Sequence, residues 1–227
     1  EGSRRALTEY AEVLAQRPKD ANARWLLNVL HMTLGSYPGE VPAQWLVPPA
    51  VFVSDYALGK FSERASALGL DVLGLSGGSI IEDFDGDGLL DVMTSSWGLA
   101  DPLLYFRNGG DGAFADQTAA AGLGGQVGGL NITHADYDNN GYADVLVLRG
   151  AWRNEDGHHP NSLLRNDDGQ FVDVTETTGL LSFHPTQTAA WGDYDNDGFV
   201  DLYIGNESND WERHACQLYH NQGGEAF

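Results

Sequence analysis

Three nine-residue stretches place oxygen-bearing side chains at positions 1, 3, 5 and 9 with glycine at position 6. They are Asp83, Asp85, Asp87 and Asp91; Asp136, Asp138, Asn140 and Asp144; and Asp193, Asp195, Asp197 and Asp201. Leu89, Tyr142 and Phe199, at position 7, can each add a backbone carbonyl. Such a donor set suits a hard cation that takes six to eight oxygens, and the sharp turn it needs is supplied by Gly88, Gly141 and Gly198. An EF-hand would carry its acidic ligand at position 12. Counting forward gives Thr94, Val147 and Ile204, so these loops must close at position 9.

Carboxylates crowded into nine residues repel one another, so the loops make physical sense mainly with a dication among them. Calcium fits better than magnesium, which keeps more water and needs fewer side chains. The expected cofactor is therefore calcium at three structural sites, the second the weakest because Asn140 removes one charge. Asp and Gly also favour plain turns, but three copies with ligand spacing speak against that reading.

The elements that position the loops follow from a repeat. Phe61 to Leu70, Phe114 to Leu123 and Phe171 to Leu180 align without a gap, and each loop begins 22 residues after its phenylalanine (83 − 61, 136 − 114, 193 − 171). After each loop comes a β-rich run starting at Asp91, Asp144 or Asp201. A second run then ends at Asn108, Asn166 or Asn221 before a glycine-rich turn. About four short strands per unit of about 55 residues fits a β-propeller blade better than a solenoid coil. The distance from position 9 to the turn asparagine varies (108 − 91 = 17, 166 − 144 = 22, 221 − 201 = 20). Length variation thus falls in one connection, whose two longer versions, around 152–159 and 206–214, should project from one face.

These residues resemble the FG-GAP/VCBS repeat proteins, specifically the cartilage acidic protein and UnbV-like branch. The phrases carrying the likeness are Phe171-Val-Asp-Val-Thr175 with Gly179-Leu180, Gly192-Asp-Tyr-Asp-Asn-Asp-Gly198 with Asp201-Leu-Tyr203, and Leu218-Tyr-His-Asn221. The resemblance implies a calcium-binding β-propeller, secreted or displayed at a cell surface, with the metal in a hairpin of each blade. A propeller takes roughly four to eight blades, so three units read as part of a longer one. The expected fold is mainly β: three four-stranded blades over 61–227, an incomplete propeller.

Ahead of it, Leu7, Tyr10, Ala11 and Leu14, then Ala23, Leu26, Leu27, Leu30 and Leu34, follow helical spacing. Pro18 stops the first helix, Asp20 caps the second and Gly35 ends it. The pattern of Ala6, Tyr10, Leu14, Pro18 and Trp25-Leu-Leu27 resembles tetratricopeptide repeats, and a plain helical hairpin over 1–34 fits it equally. Pro38, Pro42, Pro48 and Pro49 predict an extended connector over 35–60.

Composition narrows the function. A net charge of -21, from 33 acidic against 12 basic residues, argues against nucleic acid and anionic lipid as partners. The single Cys216 excludes an internal disulfide and a thiolate zinc cluster, and no apolar run is long enough to span a membrane. His158, His159, His184 and His214, with Glu155, Asp156, Asp210 and Glu212 nearby, could ligate a metal or move a proton. Solvated loop histidines are the simpler reading, no nucleophile motif is present, and no catalytic residue is assigned. Trp152 and Trp211, beside the longer connections, are the better candidates for carbohydrate or protein contact.

The expectation is a calcium-stabilised extracytoplasmic binding or assembly module, extracellular, at the cell surface or periplasmic. Its protein or carbohydrate partner would sit on the face bearing 152–159 and 206–214, and its remaining blades would come from further sequence or another chain. The alternatives are the propeller part of an enzyme acting on an extracellular polymer, of polysaccharide lyase or phospholipase type, and a structural subunit of a multi-chain assembly.

Overall fold

The computed structural model describes residues 2–54, 59 and 61–227, which fall into two compact units, Glu1–Ser62 and Glu63–Phe227. The connector residues 55–58 and 60 lie outside the described residues.

In the first unit α1 (Gly2–Gln16) and α2 (Ala21–Thr33) pack through Leu14, Ala23 and Leu27. The Asp20 carboxylate accepts the Ala23 N–H at 3.0 Å, satisfying a donor left orphaned at the helix start. Proline removes ladder donors from the segment that follows, but the segment does not stand free. Val41, Tyr37, Trp45 and Leu46 cover the helix pair. The fully buried Asn28 donates to Trp45 O at 2.9 Å and accepts from Val47 N at 2.9 Å. Buried polar groups must be paired, and here a helix side chain supplies the partners that the absent ladder cannot.

The second unit holds three antiparallel sheets in chain order. The first is β1 (Ser79–Glu82), β2 (Asp91–Thr94), β3 (Leu104–Asn108) and β4 (Phe114–Asp116), and the second is β5 (Asn131–Ala135), β6 (Asp144–Leu148), β7 (Ser162–Asp167) and β8 (Gln170–Asp173). The third contains β9 (Thr186–Gly192), β10 (Asp201–Asn206) and β11 (Gln217–Tyr219) only. Three strands there correct the expectation of three four-stranded blades. The reason lies in the register: the fourth strand of a sheet includes the phenylalanine that opens the next sequence repeat, as Phe114 and Phe171 do. The corresponding residue is Phe227, the last of the chain. Its N–H still docks on Thr178 O at 2.9 Å, as that of Phe171 docks on Ala121 O at 2.9 Å. Phe61, which opens the first repeat, lies in no strand and is exposed.

Sheets stack face to face, and β6 shows why its sequence is apolar throughout. Side chains alternate between faces of a strand. Val145 and Val147 enter a core with Ile80, Phe84, Met93 and Tyr105 of the first sheet's side. Leu146 and Leu148 enter another with Leu202 and Ile204 of the third. All five β6 residues are buried. In β10 only one face is covered, so Tyr203, between Leu202 and Ile204, is exposed. Within the stack β1 packs beside β5, and β5 beside β9.

Candidate metal centres

Each nine-residue loop joins the first two strands of a sheet. The two loop positions with left-handed backbone are 4 and 6: Gly86, Asn139 and Asn196 have φ of 69°, 58° and 63°, and Gly88, Gly141 and Gly198 have 85°, 94° and 96°. Position 6 was legible as glycine. Position 4 carried the same signal, since glycine and asparagine are the residues that adopt this conformation most readily.

The side chains repeat the same bonds in all three loops. At position 1 the carboxylate accepts the N–H groups of positions 5 and 6, as when Asp83 accepts from Asp87 at 3.1 Å and Gly88 at 2.8 Å. Asp136 and Asp193 do likewise. Asp85, Asp138 and Asp195, at position 3, each accept from the position 5 N–H. In turn the position 5 oxygens of Asp87, Asn140 and Asp197 accept the N–H of Leu89, Tyr142 and Phe199.

Position 9 is buried in every sheet. One oxygen of Asp91, Asp144 or Asp201 accepts the backbone N–H of Asn108, Asn166 or Asn221, at 2.7 to 2.8 Å. The other takes the Tyr105 hydroxyl in the first sheet and the N–H of Tyr137 or Tyr194 in the others. This aspartate therefore ties its loop to the third strand. Burial pushes Asp144 up to about 7 against the pull of those N–H bonds, with Asp138 and Asp136 adding repulsion. Burial likewise raises Asp91 and Asp138. For Asp201 burial also acts upward, but the N–H groups of Asn221 and Tyr194 together with His220 outweigh it and hold the group below its ordinary value.

The predicted ligands converge, with differences. Carboxylate oxygens of Asp83, Asp85 and Asp91, of Asp136, Asp138 and Asp144, and of Asp193, Asp195 and Asp197 lie within 4.8 Å of one another in each set. Asp201 joins Asp195 and His220 in a further set. Asp87 instead meets Arg107 at 2.6 Å, and the same guanidinium bonds Asp85. Asn140 turns its amide nitrogen to Asn166 O at 2.8 Å. In the first two loops the converging side-chain donors are all oxygens and burial pushes Asp91, Asp138 and Asp144 upward, a set that fits a dication of calcium type.

Two features escaped the sequence reading. The residue before each turn asparagine is basic or imidazole, Arg107, Arg165 and His220; the first and last face loop carboxylates, whereas Arg165 pairs with Asp167 at 2.9 Å. The turn asparagines also cross between sheets. Asn166 Nδ2 donates to Phe84 O and Asn221 Nδ2 to Tyr137 O, both at 2.8 Å. Their recurrence was visible in the sequence, whereas their partners were not.

Residues 83–147 and 151–204, more than half of the chain, match the family model described as FG-GAP-like repeat. The chain belongs to the FG-GAP-like repeat family. No curated protein matches it. The matched segments contain all three acidic loops and end within β6 and β10.

At the opposite ends of those strands the sheet connections meet. Trp97 Nε1 of the first sheet donates to Ala151 O at 3.3 Å, and the Arg153 guanidinium stacks 4.3 Å from the Trp97 ring centre. Trp152 N–H bonds the Glu207 carboxylate, and Glu207 N–H donates to Pro185 O at 2.7 Å. The Trp152 and Trp211 side chains are exposed there. No helix among the described residues is long and apolar enough to cross a membrane.

Proposed function

We propose that this chain is part of a calcium-stabilised, propeller-like binding module of the cartilage acidic protein and UnbV-like kind, working outside the cytoplasm. The observation that carries the reading is the threefold repetition of one loop in which a buried aspartate links acidic turn to third strand. Calcium would be held by Asp83, Asp85 and Asp91, by Asp136, Asp138 and Asp144, and by Asp193, Asp195, Asp197 and Asp201. Bound there, the ion offsets the charge of clustered carboxylates. The residues themselves order the hairpin through their N–H bonds. Extracytoplasmic calcium would keep such sites filled and stabilise the fold by mass action, about 2.7 kcal/mol at a hundredfold excess over Kd.

The binding face is the end where the longer connections meet, with Trp152 and Trp211 exposed and suited to carbohydrate or protein contact. The outer faces of the first and third sheets expose Ile81, Tyr203 and Leu218, which further blades would cover. The helical unit, tetratricopeptide-like in pattern, offers a second contact surface. Thermal melts test the metal's role. Chelation is expected to lower Tm, calcium to restore it and magnesium to restore it poorly. An unchanged melt after verified metal removal would contradict the proposal.

A further inference from the structure

The helical unit exposes an apolar patch that its own fold leaves uncovered. Trp25, Val51, Phe52 and Val53 are all exposed, Val51 and Val53 by 66 and 73 %, and the Trp25 and Phe52 ring centres lie 5.7 Å apart. Single apolar side chains on a surface need no explanation, whereas a contiguous patch marks a contact surface. Within it, Trp25, Val47, Pro48 and Val51 wall a cleft of about 360 Å³ whose opposite side is the turn entering α2. Pro48 and Pro49 carry no N–H, so no strand can pair along that wall, and whatever sits there is held by its side chains.

Charge decides what the cleft takes. Lys19 and Arg24 line it, and Lys19 makes no hydrogen bond or ion pair among the described residues. The Arg24 guanidinium donates to two carbonyls, from Nε to Trp45 O at 3.2 Å and from Nη2 to Leu46 O at 2.6 Å, and pairs with no carboxylate among the described residues. Asp20, the one acidic side chain in the cleft, is already engaged: it accepts the Ala23 N–H at 3.0 Å and lies 4.0 Å from Arg17. Two cations thus border an apolar hollow without a counter-charge. Residues 1–62 carry six acidic and six basic side chains, so the whole net charge of -21 belongs to the second unit, and the helical unit does not share its repulsion of anions.

We propose that this cleft docks an acidic segment of a partner protein. An apolar side chain of that segment enters between Trp25, Pro48 and Val51, and carboxylates flanking it meet Lys19 and Arg24. Because Trp45 O and Leu46 O already hold Arg24, little side-chain freedom is lost when its remaining N–H groups take a carboxylate. An uncharged segment would gain the same apolar burial without the ion pairs, and a basic one would be repelled, so the two cations set the selectivity. The assignment rests on the helical unit being a contact surface, and on no metal.

The test is titration of the whole chain, at saturating calcium and low ionic strength, with the end-capped peptide Asp-Glu-Leu-Phe-Asp-Glu and with its uncharged counterpart Ser-Ser-Leu-Phe-Ser-Ser. Calorimetry reads the affinity, and the NMR signal of the Trp25 indole N–H reads the place. The acidic peptide is expected to bind and move that signal, and to lose affinity as salt is added. Lys19→Glu should weaken it about 5- to 10-fold, and Val51→Asp, which sets a carboxylate on the apolar wall, about as much. Both positions are exposed, so circular dichroism should not change. Equal affinity for the two peptides would leave a contact surface but overturn the acidic partner. No shift of the Trp25 signal, or binding unchanged in both variants, would overturn the cleft as the site, and self-association abolished by Val51→Asp would put a second copy there instead. A failure of chelation to lower Tm bears on the acidic loops alone and leaves this result separate.

Discussion

The side-chain amide of Asn166 donates to the backbone carbonyl of Phe84 at 2.8 Å, joining residues 82 positions apart in neighbouring sheets. The same amide donates to Ala143 O at 3.1 Å, and its oxygen accepts Gly169 N–H at 2.9 Å. One buried side chain thus satisfies its own hairpin and the adjacent sheet's loop. Asn108 holds the equivalent place in the first sheet, bonding Leu90 O and Gly110 N–H, both at exposed sites.

Asn166→Ala strands three backbone groups, at about 1–3 kcal/mol for each one left buried and unpaired. Water can replace the lost partners at position 108. We expect Asn166→Ala to cost about 3 kcal/mol or more and Asn108→Ala about 1 kcal/mol, read from urea unfolding midpoints. Equal costs would show that the bond between sheets contributes nothing.

Position 2 of the acidic loops offers a parallel contrast. Phe84 is fully buried, with its ring centre 5.7 Å from those of both Tyr105 and Phe171. Tyr194, at the same position in the third sheet, is 56 % exposed because no sheet covers it. Phe84→Ala should cost about 3–5 kcal/mol. Tyr194→Ala should stay within about 0.5 kcal/mol in this chain. Calorimetric Tm values decide the point.

What the sequence disclosed follows from what is local. Oxygen spacing in a nine-residue turn, the glycine at position 6 and the strand after each loop are set by neighbouring residues, and a period of 53 to 57 residues fixed their order. The apolar run Val145-Leu-Val-Leu148 was legible as a strand, but what covers its two faces was not. Pairings across sheets, such as Asn221 with Tyr137 or Glu212 with His158, join residues whose separation has no period. The third sheet was overcounted because the sequence repeat and the sheet begin at different strands. Tyr194 shows a related limit: the aromatic at loop position 2 is buried as Phe84 and Tyr137 and exposed as Tyr194, because burial needs a neighbouring sheet.

Arg107 distinguishes the first acidic loop from the others. Its guanidinium occupies Asp85 and Asp87, side chains that a dication would need, and Asp85 is the largest cause holding Arg107 above its ordinary pKa. Removing it should free both carboxylates while leaving their repulsion uncompensated. Arg107→Gln is therefore expected to tighten calcium binding at the first loop several-fold and to lower Tm in chelator. The third loop should bind calcium unchanged. Calorimetric titration of the two proteins compares the sites, and weaker binding in the variant would show that Arg107 orders the loop instead of competing for it.

Asp173 provides a pH signature separate from the metal loops. Burial acts to raise its pKa, but bonds from the Thr175 hydroxyl and N–H, Gln126 and Ser162 outweigh that and set it below the ordinary carboxylate value. A carboxyl with a depressed folded-state pKa contributes stability above its unfolded value, about 3.9, and loses it as pH falls through the folded one. Gln126 belongs to the connection between the first and second sheets, and its Nε2 lies 3.0 Å from Asp173 Oδ2 on β8, so acid should loosen that junction. Asp173→Asn removes the titration. Between about pH 5 and pH 3 the unfolding free energy of the variant should fall less steeply than that of the parent protein, with both measured at saturating calcium. Parallel slopes over that window would show that Asp173 is as protonated in the folded chain as in the unfolded one.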